Sequence, residues 1–452
     1  MKKSRVLIYA LIIAAYFVIL HMILPNWLNI KQGIYSLFTD WFNNWLLIFP
    51  FIGLIALAAL IGYFGIHFLA SFGKGYRSRS KFEPKISIIF ASKDERPLLK
   101  RTLDSIIESN YPKDKMEIIT VTSGSTDGST EYCKKYTEKH SDINIKVLAD
   151  PVNKKGKPAA LNYGLKHVKN EICVFYDSGI RIEPNTIHEL VSPLQNEEEI
   201  VAIGPITIEN YKQNKWTRAV LVDYTFTAGG ALLSEVKNRL GSSCYLFGRN
   251  FCIRTKNLRD YGGFNEESLT EDLYLSTLLN LDGIKVLFTP KAKAYDIAPY
   301  KWNVIAKQRQ RWIGGFIGDM PPLMKMKKGD KDGASIIISR NLTMLLLAHI
   351  DAWFFIAVPF AIIYSIVGFW YLLSWTLSFM VFSLGYIING IRKYGDGHYL
   401  NLLWLPFCAY LHLYELSLQF SMPEEISWEK TPMILEKDQE EIETLAKAPI
   451  VH

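Results

Sequence analysis

Long apolar runs occupy both ends of this 452-residue chain, and between them short apolar runs alternate with polar sequence. Val6 to Leu24 and Leu46 to Phe72 are each long enough to cross a bilayer core, with an aromatic stretch (Trp27, Tyr35, Phe38, Trp41, Trp45) between them. Lys2, Lys3 and Arg5 precede the first run, and Lys74, Arg77, Arg79 and Lys81 follow the second, so the positive-inside rule puts the middle of the chain in the cytosol. There the pattern changes to β-rich runs (Ile86 to Phe90, Glu117 to Val121, Asn144 to Leu148, Ile172 to Tyr176) interleaved with amphipathic stretches such as Leu98 to Ser109. Strands alternating with helices predict an α/β domain on a mostly parallel sheet.

After Trp312 the stretch Gly314 to Gly333 is too polar to span and reads as interfacial. Apolar sequence resumes at Leu342, breaks near Gly368, and a third run covers Leu400 to Phe420. The predicted organisation is two spans and a basic linker over 1–82, the α/β domain over 83–316, an interfacial segment over 317–341, two to three spans over 342–420, and a polar tail over 421–452. A cytosolic tail requires one apolar segment to be re-entrant or interfacial, and Leu400 to Phe420, carrying His412 and Glu415, is the natural choice. His349 and Asp351 also lie at membrane depth, where polar groups must face protein or water; a lipid or polymer path and packing inside the bundle both account for them.

Composition agrees. The chain is 49% hydrophobic and 13% aromatic, rich for a wholly soluble protein. Its net charge of +7 is concentrated beside apolar runs, which suits lipid headgroups and argues against nucleic acid as a partner. The five cysteines show no CxxC spacing, so neither a zinc site nor a disulfide framework is indicated.

Within the middle domain, polar motifs follow the predicted strands in a fixed order. They are Ile86-Ser-Ile-Ile-Phe-Ala-Ser-Lys-Asp-Glu95, Thr122-Ser-Gly-Ser-Thr-Asp-Gly-Ser129, Asn153-Lys-Lys-Gly-Lys-Pro-Ala-Ala-Leu-Asn162, Val174-Phe-Tyr-Asp177-Ser-Gly179, Leu269-Thr-Glu-Asp-Leu-Tyr-Leu275, and Gln308 with Arg311 and Trp312 as QxxRW. Each alone admits a local role: a charged loop, a turn aspartate at Asp127, a solvated lysine, a strand-end cap, a helix N-terminus or a basic amphipathic helix. Together, in this order, they resemble the membrane-bound family 2 glycosyltransferases, the group of cellulose, chitin and hyaluronan synthases and ceramide glucosyltransferase.

The resemblance implies a GT-A fold, Rossmann-like and mostly parallel, inserted between transmembrane helices. It implies a nucleotide-sugar donor, expected to be a UDP-sugar, held by Ala91, Asp94, Glu95, Ser123, Lys157, Asp177 and Arg311. Asp272 would be the base of an inverting transfer, with Glu271 beside it, and Gln308 and Trp312 would meet the acceptor. Asp177 would hold Mg²⁺ or Mn²⁺ against the diphosphate. The sequence departs from the family pattern at Thr122 and Ser123, where paired aspartates are usual, and at Gly179, the second aspartate of DxD.

The expected product is a polysaccharide made processively; single transfer to a lipid, or a non-catalytic membrane subunit, are the alternatives. The enzyme is expected to be a multi-pass protein of the plasma membrane, with lipid and a glycan or lipid acceptor as its partners; accessory subunits and oligomeric state are left open.

Overall fold

The computed structural model describes residues 8–9, 11–13, 48–76, 82–122, 124–149, 156–227, 231–329, 331–395 and 398–421. The first predicted span apart from those few residues, the basic linker at Arg77 to Lys81, Ser123 and the polar tail beyond Ser421 lie outside them.

The middle of the chain folds on a seven-stranded sheet. β1 (Ile86–Ala91), β2 (Met116–Val121), β3 (Asn144–Leu148) and β4 (Ile172–Tyr176) run parallel in the order β3-β2-β1-β4. β1 and β4 are apolar without alternation and buried on both faces, which is why they take the centre of a sheet covered by helices. The helix Arg96–Ile107 buries Leu98, Leu99, Leu103 and Ile106, positions spaced for one face, and Pro97 pre-sets its first turn.

The short strands β5 (Arg181–Ile182), β6 (Val201–Ile203) and β7 (Ile206–Ile208) follow, then β8 (Asn250–Arg254), β9 (Val286–Phe288) and β10 (Ala294–Asp296). β8 enters the large sheet antiparallel, between β4 and β6, and β9 closes its edge; β5, β10 and β7 make a second, three-stranded sheet. The chain order reverses between β1 and β4, and in such sheets ligands lie in the crevice at the carboxyl ends of those strands. Continuing the register Ile89 to Phe175 by two residues sets Ala91 beside Asp177 at that end.

The helix Trp302–Met324 carries the QxxRW residues and runs through the expected boundary at 316. It ends soon after Pro321 and Pro322, which remove backbone donors from its last turn. A two-stranded hairpin, Lys327–Lys328 with Lys331–Asp332, leads into the helix Gly333–Thr343 and a π turn at Met344–Ala348.

Among the described residues, two helices are long and apolar enough to cross a membrane, Ile350–Val367 and the stretch Leu372–Tyr394 of the helix Trp370–Tyr394. The break between them falls at Gly368, as the hydropathy pattern predicts. The helix Ile48–Ser71 packs on the second: Phe64 meets Phe379 edge-on at 4.8 Å, and Asn389 donates to the Ser71 hydroxyl at 2.7 Å. The last described helix, Leu405–Phe420, has 16 residues and buries Cys408, His412 and Glu415.

Candidate active site

Lys157 opens the helix Lys157–Lys166, and its ammonium lies 2.6 Å from Asp177 Oδ1, just past β4, and 3.5 Å from Glu271 Oε1. It also donates to the Gly248 carbonyl at 3.2 Å. The Gly248 amide donates in turn to Asp272 Oδ2 at 2.6 Å, while Asp272 Oδ1 accepts the Leu273 amide at 2.8 Å. A Cβ at Gly248 would sit 3.1 Å from Asp272 Oδ2 and 3.2 Å from Lys157 Nζ, so a side chain there would press on both. Three separated motifs thus meet around one lysine and one glycine.

The helix Glu271–Leu281 brings Glu271 and Asp272 in on its first turn, where carboxylates face the positive end of the helix dipole. Its approach is fastened by Asp319, whose Oδ2 accepts the hydroxyls of Ser268 at 2.7 Å and Thr270 at 3.0 Å. Asp319 lies two turns beyond Arg311 and Trp312, so one helix carries both the QxxRW residues and this fastening.

Burial disfavours the Lys157 ammonium, but the Asp177 and Glu271 carboxylates outweigh it and hold its pKa above the usual lysine range. Burial pushes the Glu271 carboxyl up, against the opposing pull of Lys157. Burial also lowers Arg311, whose buried Nε makes no hydrogen bond to the described residues. A cation held near three carboxylates without a hydrogen bond at that nitrogen is ready for an incoming anion.

Arg249 completes the cluster. Its guanidinium pairs with Asp296, donates to the Tyr224 hydroxyl at 2.6 Å, and lies 3.9 Å from Asp177 Oδ2. Trp312 lies between two guanidinium groups, Arg249 at 4.9 Å and Arg309 at 4.6 Å from its ring centre. The sequence reading missed Gly248, Arg249 and Arg309. The only signal for the first two was a polar Gly-Arg-Asn placed directly before the apolar start of β8.

Lys157, Asp177, Glu271, Asp272, Arg311 and Trp312 therefore come together, and Gln308 is buried one turn before Trp312. Ala91, Asp94 and Glu95 stand at the end of β1 in a separate loop system. The Asp94 carboxylate accepts the Thr126 amide at 2.7 Å, and Asp127 accepts the amides of Arg96 at 2.9 Å and Ser129 at 3.0 Å, so these acids tie the loop after β1 to the loop after β2. The Thr122 hydroxyl accepts that of Thr130 at 2.8 Å.

Gly179 explains the altered DxD. Its φ of +91° lies in the left-handed region, it is buried, and a Cβ would meet Leu98 at 3.3 Å. Its carbonyl accepts Arg101 Nε at 2.6 Å and its amide donates to Thr102 at 2.8 Å, so this residue is bound into the helix Arg96–Ile107. Of the two DxD positions, Asp177 is the one that offers the hard oxygen a divalent cation needs. That fits an ion held mainly by diphosphate and water, once Lys157 yields part of its hold on the carboxylate.

A model of the family described as "Glycosyltransferase like family 2" matches residues 84–315. The chain belongs to this family. Its fold is GT-A, and among solved structures it resembles a mannosyltransferase from Pyrobaculum calidifontis, in complex with GDP-Man and Mn²⁺, at 18% identity and a TM-score of 0.50 over 76% of this chain and 98% of that one. Curated relatives of this glycosyltransferase include a probable glycosyltransferase, YdaM, of Bacillus subtilis, 28% identical over 53% of this chain and 57% of that protein. The beta-monoglucosyldiacylglycerol synthase of a Nostoc strain is 26% identical over 58% of this chain and 56% of its own length. The poly-beta-1,6-N-acetyl-D-glucosamine synthase of Staphylococcus epidermidis is 25% identical over 63% and 69%. The chain thus spans little more than half of the first two relatives.

Proposed function

We propose that this family 2 glycosyltransferase moves a sugar from a nucleoside-diphosphate donor, a UDP-sugar, to a hydroxyl acceptor at the membrane, with inversion. The observation that carries this reading is the Asp272 carboxylate, oriented by the Gly248 and Leu273 amides beside the Lys157 ammonium and the Arg311 guanidinium. Asp272 takes the proton from the acceptor hydroxyl as that oxygen attacks the anomeric carbon, a service worth roughly 10² to 10⁴ in rate. The bond from that carbon to the diphosphate breaks, and the departing charge is met by Lys157 and Arg311. Ala91, Asp94 and Glu95 border the nucleotide, and Ser123 is assigned to it from the sequence motif alone. Trp312 offers a ring face to the acceptor sugar, and Gln308 bonds its hydroxyls. A Mg²⁺ or Mn²⁺ ion on Asp177 would supply further positive charge to the diphosphate.

The protein is read as multi-pass, lying in the plasma membrane with its catalytic domain cytosolic, Ile350–Val367 and Leu372–Tyr394 spanning, and Leu405–Phe420 as the interfacial segment. The acceptor is a growing glycan, the product a polysaccharide. One observation favours the second reading, single transfer to a lipid: His349 and Asp351 are buried against neighbouring side chains, so neither is free to line a polymer path. The test is transfer by the full chain in detergent from UDP-glucose, UDP-N-acetylglucosamine and GDP-mannose, with products sized. A donor that wild type transfers and Asp272→Asn does not supports the mechanism. Equal activity in the two proteins sinks it.

A further inference from the structure

A buried set of charged groups joins the QxxRW helix to the membrane-side helices. Arg309 stands between Gln308 and Arg311 on the sequence but points elsewhere: its Nη2 pairs with Asp223 at 2.7 Å, and its Nη1 with Glu415 at 2.8 Å. All three side chains are at least nine-tenths buried. Asp223 lies on the helix Lys215–Phe226, and its other oxygen faces His412 Nε2 at 3.2 Å. His412 Nδ1 meets Asp351 at 2.6 Å, and Glu415 faces His349 at 3.4 Å. The π turn at Met344–Ala348, closed by His349 Nδ1 against the Met344 carbonyl at 2.7 Å, brings His349 and Asp351 inward.

Three carboxylates surround one guanidinium and two imidazoles here. A buried pair of this kind holds its geometry firmly, because moving either partner leaves a charge uncompensated in a low-dielectric interior. The guanidinium so fixed is the one whose face lies 4.6 Å from the Trp312 ring, with Arg249 on that ring at 4.9 Å. Arg249 is itself tied to Asp296 and faces Asp177. Both neighbours of the indole are therefore anchored, one to the catalytic cluster and one to the helix Leu405–Phe420.

We infer that Arg309 is a positioning residue for Trp312, and that Glu415, reaching in from the helix Leu405–Phe420, sets through it how the acceptor is held. This rests on the acceptor-side reading of Trp312. Arg309 touches no reacting atom; it acts by fixing the ring plane. Small misplacement of a substrate-positioning group has large kinetic cost, so removing the Glu415 charge raises the acceptor KM on the order of tenfold. Donor hydrolysis in the absence of acceptor keeps its rate, because Lys157, Asp272 and Arg311 stay in place.

The experiment uses the full chain in detergent, as wild type, Glu415→Gln, Trp312→Phe and the double variant, with Glu415→Asp, which keeps the charge but shortens its reach to Arg309, in place of Glu415→Gln should that variant fold poorly. Two readouts are taken. The acceptor KM and acceptor-free hydrolysis are measured on whichever of UDP-glucose, UDP-N-acetylglucosamine and GDP-mannose turns over. The near-UV circular dichroism contributed by Trp312 is obtained as the difference between the parent and its Trp312→Phe form. Expected are a raised acceptor KM with unchanged hydrolysis, no further rise when Glu415→Gln is added to Trp312→Phe, and loss of the Trp312 dichroism in the Glu415 variant. Additive effects in the double variant, or an unchanged Trp312 signal, overturn the inference. Inertness of wild type to every donor defeats the transferase reading instead, while the dichroism still decides the positioning role.

Discussion

The Gly248 amide donates to Asp272 Oδ2 at 2.6 Å, and the same glycine's carbonyl accepts from Lys157 at 3.2 Å. One peptide segment before β8 thus orients the proposed base and the cation proposed to meet the diphosphate. Gly248→Ala places a methyl group 3.1 Å from the carboxylate and 3.2 Å from the ammonium. It is expected to lower kcat while the melting temperature falls little, which parallel kinetics and thermal melts will check.

Asp272→Asn removes the proton acceptor but keeps an oxygen for the Gly248 amide. A loss of roughly 10² to 10⁴ in kcat is expected. Donor binding, read by calorimetry with the nucleoside diphosphate, stays within a few fold. Loss of binding in step with kcat would assign Asp272 to the donor instead.

The pH dependence turns on Glu271. Burial raises its folded pKa above the unfolded value, so the folded chain holds this proton more tightly than the unfolded chain does. The associated stability is fully present below the unfolded carboxylate pKa and is lost as pH rises through the folded one. Glu271→Gln has no such loss, so its melting temperature should gain on wild type between pH 5 and pH 8. Lys157→Met removes the charge that opposes the rise, so the pH at which the Glu271 contribution to stability is lost should move up, read from melting temperature against pH.

Restoring the DxD aspartate should not strengthen the proposed metal site at Asp177. At Gly179→Asp the left-handed backbone costs about 1 kcal/mol, with contact against Leu98 added. A lower melting temperature with no change in Mn²⁺ affinity is expected. Likewise, EDTA should depress transfer less than Lys157→Met does, since the ammonium at 2.6 Å from Asp177 itself brings positive charge to that carboxylate.

Asp319→Ala deprives the Ser268 and Thr270 hydroxyls of their acceptor, and a loss of about 1–3 kcal/mol in denaturant unfolding is expected. Because these residues lead into Glu271 and Asp272, kcat should fall as well.

The parallel strands were legible because β1, β2 and β4 are buried on both faces and read as short, mostly apolar, β-rich runs, and all four predicted runs agree with the strands to within a residue or so. The short inserted strands were not, since β6 and β7 are three residues each and take their place from neighbours far along the chain. Lys157, Asp177, Glu271, Asp272 and Arg311 were legible because motif order survives without distances. Arg249 and Arg309 were not. Their partners Asp296 and Glu415 lie 47 and 106 residues away, and no local pattern links such pairs. Gly179 read as a missing ligand until its backbone conformation gave the physical reason.

The Arg309 to Glu415 ion pair has a practical corollary for anyone cutting the gene. A fragment ending near residue 316 looks natural by homology, yet it would cut the helix Trp302–Met324 in its final third and strip Arg309 and Asp223 of Glu415 and His412. Two formerly sealed charges would meet solvent on a surface that also lost its apolar cover. Such a fragment is expected to precipitate or swell, whereas one carried through to Phe420 keeps its fastenings intact.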